Sequence, residues 1–332
     1  MSLVSRRKLL LSGAASSAAL GLSPLGSGLA GAVSTHAFDS ERRTPSLRAA
    51  HITDVHIKND KNAPKGVAAM FAHMFGQKEK APELVLNTGD CVMAIDGNIK
   101  ADAALVQIDL WKEATQACKA PIKSCLGNHD IWSARDTSAK LPAEKKGAAL
   151  MTEVLGMPAP YYSFDMGGWH FISLNSMCNW PNYGSLTPEH MTWLKKDLEK
   201  TPKSTPVCVL SHLPILSITS LVYGDSCRKN NDNLVPGAWQ HADCWAITEV
   251  FRKHPQVKLC LSGHMHTCDR VEYRGVWYIC GGAVSGAWWD GSEFGFPPCY
   301  GAIDFFADGT FDYRFVDYGW SARQWKGKQL AV

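Results

Sequence analysis

The chain has 332 residues, 45% of them hydrophobic, which suits one large globular domain with a substantial core. Its formal charge is +3, and its first 32 residues carry three basic and no acidic side chains, so the rest of the chain is formally neutral. A neutral body gives no support for a nucleic-acid or anionic-membrane partner that relies on bulk basicity.

The leader reads Ser5-Arg6-Arg7-Lys8-Leu9-Leu10, then a weakly apolar stretch of Ala, Gly and Ser, then Ala30-Gly31-Ala32. This pattern predicts a twin-arginine signal peptide over residues 1–32, cleaved after Ala32. The Tat translocon is its expected transient partner and the periplasm or exterior its destination. Gly21, Pro24, Gly26 and Gly28 interrupt the roughly 20 apolar residues that an anchor needs, so no permanent membrane anchor is expected. Residues 33–46 are polar and aperiodic, an expected mobile lead-in, and residues 47–332 form the expected folded domain.

Leu47–Thr53 is a predicted strand, followed by a helix whose Val67, Met70, Phe71 and Met74 recur at helical spacing. Glu83–Thr88 is the second strand, Asp102–Lys119 the second helix and Pro121–Leu126 the third strand. That β-α-β-α-β order implies parallel strands with right-handed crossovers, and in such sheets ligand sites gather at the carboxyl ends. Tyr161–Asp165 and Trp169–Asn175 flank Met166-Gly167-Gly168 as a hairpin. Thr187 caps a helix that opens with Pro188 and carries Met191, Leu194 and Leu198 on one face. Val207–Leu210 and Val257–Leu261 are strands; between them lie an irregular stretch, Ser217 to Gln240, and a helix with Cys244, Ile247 and Phe251. Val276–Cys280, Ala302–Phe306 and Phe311–Val316 follow, the last two joined by an Asp308-Gly309 turn. The expected fold class is α/β, with two packed mixed β-sheets flanked by helices.

Five short motifs each follow an apolar run that reads as a strand. They are Asp54-Val55-His56, Gly89-Asp90, Gly127-Asn128-His129-Asp130, Ser211-His212 and Gly263-His264-Met265-His266. An ion that polarises phosphate needs oxygen and nitrogen ligands in a fixed shell with positions left open. Asp54 and His56 are two apart, so on an extended chain both point toward one ion. Asp90 follows a glycine, which lets the backbone turn and bring its carboxylate between two ions. His264 and His266 repeat the two-residue spacing, so one can reach each ion. Mixed carboxylate, amide and imidazole ligands suit two divalent or trivalent transition-metal ions, Mn, Fe, Zn or Co, without choosing among them.

These motifs, in this order, resemble the calcineurin-like metallophosphoesterase superfamily over roughly Leu47 to Asp317. The resemblance implies a four-layer α/β/β/α fold and hydrolysis of a small-molecule phosphate ester by in-line attack of a hydroxide held between two ions. It implies that one metal takes Asp54, His56, Asp90 and His266, and the other Asp90, Asn128, His212 and His264. It gives His129 the role of leaving-group acid, or of a charge on the phosphoryl oxygens. The position three after Asp90 is Met93, where protein serine/threonine phosphatases of the superfamily have an aspartate and purple acid phosphatases a tyrosine. What remains resembles the bacterial cyclic-nucleotide phosphodiesterase and general phosphoesterase branch, as do Tyr161–Asn175 and Leu186–Leu198. A nuclease on the same scaffold lacks an electrostatic track for a polyanion. A non-catalytic metal-bearing scaffold predicts missing ligands, yet every position is filled.

Trp288, Trp289, Phe294, Phe296 and Tyr300 cluster after Gly281-Gly282, either lining a pocket or packing beneath a loop. Arg270 either reaches a phosphate or is an ordinary surface residue. None of the 11 cysteines forms a Cys-x-x-Cys pair, which leaves a zinc ribbon unsupported. Cys91, Cys125, Cys208 and Cys260 read as small buried hydrophobes, and a Cys227–Cys244 bridge is an expectation for an oxidising compartment.

Overall fold

The computed structural model describes residues 43–60, 62–76, 80–96, 99–132, 145–223, 228–229 and 232–321. The leader, most of the lead-in and Cys227, with its expected bridge to Cys244, lie outside these residues. Ser46, the end of the lead-in, is already held: its N–H donates to Phe305 O at 2.8 Å.

Strands β1 (Leu47–Ile52), β2 (Leu84–Asn87) and β3 (Ile122–Ser124) run parallel, connected by helices α1 (Ala63–Gly76) and α2 (Ala101–Thr115). After α3 (Ala149–Val154), strands β4 (Tyr162–Met166) and β5 (Trp169–Ser173) form the expected hairpin. Then come α4 (Pro188–Lys200), β6 (Val207–Leu210), α5 (Thr219–Val222), the two-residue strands β7 (Arg228–Lys229) and β8 (Asp232–Asn233), and α6 (Cys244–Arg252). Strands β9 (Val257–Ser262), β10 (Cys268–Tyr273), β11 (Val276–Gly281), β12 (Cys299–Phe305) and β13 (Phe311–Asp317) complete the order. One sheet has the order β13-β12-β1-β2-β3 and the other β10-β11-β9-β6-β5-β4. Both mix parallel and antiparallel neighbours.

The period of two along each strand sends alternate side chains into different layers. From β1, Leu47 and Ala49 join Trp169, Phe171, Leu210, Leu259, Leu261 and Phe305 in the core between the sheets. Ala50 and Ile52 point the other way, onto Val67, Met70 and Phe71 of α1 and Ile108 and Trp111 of α2. On the far side Val207 and Val209 pack on Leu194 and Leu198 of α4 and Ile247 and Phe251 of α6. The result is the four-layer α/β/β/α arrangement. Cys91, Cys125, Cys208 and Cys260 are buried and free, as small hydrophobes.

Helix α2, strand β12 and strand β10 depart furthest from expectation, each for a local reason. Helix α2 stops at Thr115, because Ala117 and Cys118 donate to carbonyls three residues back and tighten the last turn. Strand β12 starts at Cys299, its first three residues being paired with β13. Strand β10 was not expected at all: of its six residues only Asp269 is buried, so no apolar alternation marks it. Its turn to β11, Arg274-Gly275, has positive φ at both positions (54° and 77°), as a two-residue hairpin requires. The cap of α4 is as expected, with Thr187 Oγ1 accepting from His190 N at 3.2 Å and Pro188 following.

His170, the second residue of β5, lies between Asp165 Oδ1 (2.7 Å) and Asp197 Oδ2 (2.9 Å). Burial favours its neutral form, but the bonds to Asp197 and Asp165 outweigh burial and raise its pKa. A raised folded-state pKa stabilises in full below the unfolded value and is lost as pH rises through the folded value. His170→Asn is therefore expected to cost about 1 kcal/mol near pH 5.5, a modest figure because Asp165 is 78% exposed and solvent-screened. The deficit should shrink by about pH 9. Urea unfolding at the two pH values measures it, and an equal deficit at both refutes the ion-pair account.

Candidate metal centre

Where β1 and β2 end, their following segments stay paired: Asp54 N donates to Gly89 O (3.0 Å), His56 N to Asp90 O (2.9 Å) and Ile57 N to Cys91 O (3.0 Å). The expected extended backbone at Asp54 and His56 is not found. Both are left-handed, with φ of 51° and 45°, as are Asp90 (54°), His264 (71°) and His266 (55°). Such a conformation costs a non-glycine residue roughly 1–2 kcal/mol. Side chains two apart still share one side, but through two successive reversals of the backbone rather than the pleat of a strand. Gly89 (φ 99°) makes the turn before Asp90, and a Cβ there would lie 2.5 Å from Gly127 N.

All seven side chains singled out as ligands converge. Asp54 Oδ1 is 3.8 Å from His56 Nε2 and 3.4 Å from His266 Nε2, and those two nitrogens are 3.0 Å apart. Asp90 Oδ2 is 3.6 Å from His56 Nε2 on one side and 3.2 Å from His212 Nε2 on the other. His212 Nε2 in turn is 3.0 Å from Asn128 Oδ1 and 3.1 Å from His264 Nδ1. One carboxylate oxygen, Asp90 Oδ2, thus belongs to two neighbouring sets of donor atoms. Such separations are those of ligands about 2 Å from a common ion.

The surrounding bonds aim these atoms. His212 Nδ1 donates to Thr88 O (2.8 Å), His264 Nε2 to Ala238 O (2.7 Å) and His266 Nδ1 to Gly286 O (2.6 Å). Each carbonyl accepts the N–H of one ring nitrogen and leaves the other nitrogen facing inward. Asp90 Oδ1 accepts from His129 N (2.8 Å), and Asp54 Oδ2 from Thr53 Oγ1 (2.7 Å) and His264 N (2.8 Å). Asp54 Oδ1 is buried with no hydrogen-bond partner. A buried carboxylate oxygen without a hydrogen-bond donor, facing only ring nitrogens, fits a cation.

Burial pushes His56 and His264 down to about 4, so both present lone pairs near neutral pH. Burial opposes ionisation of Asp54 and Asp90 too, but the charges of His266 and His212 prevail and hold both carboxyls well below the usual range. His212 is raised to about 9, Asp90 outweighing burial.

Residues 47–268 match the calcineurin-like phosphoesterase family. The chain belongs to that family. Its class of chemistry is metal-dependent phosphoester hydrolysis. It is 27% identical over 234 residues to a 3',5'-cyclic-nucleotide phosphodiesterase of Nostoc sp., spanning 69% of this chain and 75% of that one. It is 25% identical over 223 residues to a probable glycerophosphodiester phosphodiesterase of Arcobacter nitrofigilis, spanning 65% and 70%. A dimetal phosphatase from Danio rerio shares the fold, with a TM-score of 0.59 at 14% identity over 82% of this chain and 97% of that one.

In this calcineurin-like phosphoesterase His129 stands at the rim, its ring edge-on to His56 with centroids 4.8 Å apart. Met93 does not pair with it, yet a carboxylate reaches it from elsewhere: Asp96 Oδ1 is 3.7 Å from His129 Nδ1. The aromatic cluster divides. Trp289 and Tyr300 are buried, the Trp289 indole donating to Val55 O and His56 O (3.0 and 3.1 Å). Trp288 lies 4.6 Å from the His266 ring, and Phe294, 70% exposed, packs on Tyr223. Arg270 is not at the site: it donates to Tyr313 O (2.7 Å) and stacks on Tyr313 and Phe315.

Two supporting roles were not anticipated. His51, on the inward face of β1, contacts Tyr313 OH (2.9 Å) and Thr88 Oγ1 (2.8 Å), steadying the residue whose carbonyl orients His212. Its position two beyond Leu47 and Ala49 in the alternation is the one signal the sequence held. Asp130 takes the N–H groups of Asp90 (2.8 Å), Gly127 (3.0 Å) and Cys91 (3.0 Å) on its two oxygens. Burial and then the Asp90 charge push its carboxyl up to about 7, against the pull of those donors. Asp130→Asn would turn an amide NH2 toward the same N–H groups and strand at least one. We expect a loss of about 3 kcal/mol in urea unfolding together with reduced metal content. An unchanged unfolding midpoint would show that Asp130 does not hold these loops together.

Proposed function

We propose that the chain is an exported small-molecule phosphodiesterase with a two-ion centre, cyclic nucleotides being its leading substrate class. The observation that carries this reading is the sharing of Asp90 Oδ2 between two sets of donor atoms. One ion would be held by Asp54, His56, Asp90 and His266, and the other by Asp90, Asn128, His212 and His264; Mn, Fe, Zn or Co suits such donors. Bound there, the ions supply Lewis acidity toward a phosphoryl oxygen and a nucleophile from water near neutral pH.

The chain's own residues do the rest. His129 protonates the leaving-group oxygen, with the Asp96 carboxylate 3.7 Å from its Nδ1, beyond hydrogen-bond reach. Trp288, beside His266, offers a flat face to a base or other planar group. The three backbone carbonyls behind His212, His264 and His266 keep those rings from turning as substrate enters. The diester preference is supported by the phosphodiesterase names of the relatives.

Hydrolysis of bis-p-nitrophenyl phosphate and cyclic AMP above p-nitrophenyl phosphate is expected with Mn, Fe, Zn or Co. His129→Ala should keep its metal and lose roughly 10²–10⁴-fold in kcat. A monoester preference would overturn the diesterase reading, no hydrolysis with any of the metals the enzymatic one, and full activity in the variant the role of His129.

Export rests on the leader. Replacing Arg6 and Arg7 together by lysine should hold the chain in the cytoplasm with its N-terminal segment uncleaved. Periplasmic, processed protein from that double variant would refute the twin-arginine route.

A further inference from the structure

Cys268 opens β10 in one sheet and Cys299 opens β12 in the other. Their sulfurs are 3.7 Å apart, in van der Waals contact. The space they share is left by a glycine. A Cβ on Gly282 would lie 2.6 Å from Cys299 Sγ and 2.7 Å from Cys268 Sγ, and its φ of +74° disfavours any other residue. Cys299 is buried at 3%, while Cys268 is only partly covered, so one thiol of the pair is open to a reagent.

We propose that Cys268 and Cys299 close to an inter-sheet disulfide when the folded protein meets a disulfide oxidant, such as oxidised glutathione. Cys268 Sγ, losing its proton to solvent as it reacts, attacks one sulfur of the oxidant, breaks its S–S bond and releases one thiol. The Cys299 thiolate then attacks Cys268 Sγ, forms the Cys268–Cys299 bond and releases the second thiol. The two protein thiol protons end on the two released thiols, the protein is oxidised by two electrons and the oxidant is reduced by two. Closing from 3.7 Å to about 2.0 Å calls for side-chain torsion, for which the missing Cβ of Gly282 leaves room.

The bond closes the chain from β10 to β12 into a loop. That loop carries Gly286, whose carbonyl orients His266, and Trp288. Cross-linking constrains the unfolded chain, so the oxidised protein should resist heat better than the reduced one. The inference stands apart from the ester the enzyme cleaves.

The test treats the full-length folded protein with oxidised glutathione without denaturant, alkylates remaining thiols and maps the peptides. We expect a peptide pair joined through Cys268 and Cys299, two hydrogens lighter than the free pair, and a higher melting temperature than that of the reduced protein. Cys268→Ser and Cys299→Ser should each abolish both effects, and mapping of the unaltered chain remains decisive should either variant fold poorly. Capping of Cys268 by glutathione without closure, or linkage only after unfolding, would overturn the proposal.

Discussion

The candidate centre depends first on how Asp54 is held. Its Oδ2 accepts from Thr53 Oγ1 beside it and from His264 N across the molecule, at 2.7 and 2.8 Å. The second bond joins the end of β1 to the end of β9, one strand from each sheet. Once Oδ2 is committed, Oδ1 has a single direction, toward His56 and His266. That oxygen has no donor of its own, and an uncompensated buried carboxylate is costly by several kcal/mol. The packing of the two sheets therefore does more than build a core: it brings His264 N to a carboxylate that would otherwise turn away.

Backbone strain follows from the same requirement. Among the described residues nine non-glycine positions have positive φ, and five of them are candidate ligands. Strand ends are where this is tolerable. The sheet fixes each strand up to its last pair, and bonds such as Asp54 N to Gly89 O and Gly263 N to His212 O then join one loop to the next. The strained Asp54 and His56 are held by the segment of Gly89 and Asp90, which is itself strained. Asp130 is the hub on one side, because its two oxygens collect three N–H groups from two different loops.

What the sequence made legible follows from this division. Strands β6 and β9 were plain, since Val207–Leu210 is an apolar run buried on both faces and Val257–Leu261 is one broken only by the half-buried Lys258. So was the order of the motifs, because each hangs on such a strand. Strand β10 was hidden, its partner β11 carrying the burial for both. The geometry at Asp54 and His56 was hidden too. A two-residue spacing reads as a pleat, and nothing in Asp-Val-His announces two left-handed residues. Asp96 could not be matched to His129 by spacing, since the turn after Met93 decides which carboxylate comes near. Arg270 lies four residues past His266, but a strand that runs away from the centre carries it to Tyr313.

The aromatic loop shows why packing and binding could not be separated from composition alone. Trp288 and Trp289 are adjacent and both left-handed, with φ of 48° and 77°. One ring lies beside His266 while the next is fully buried, its indole shared between the carbonyls of Val55 and His56. It fits there because Gly66 of α1 has no side chain to meet it. The buried tryptophan thus ties the loop to the backbone of a candidate ligand, and Lys58 adds a second tie by donating to Trp288 O at 2.9 Å. The outward ring is fixed relative to the imidazoles by these backbone ties and by its own contacts with the His266 and His56 rings. A planar group bound against Trp288 would meet a surface already set in place, at little conformational cost to the loop.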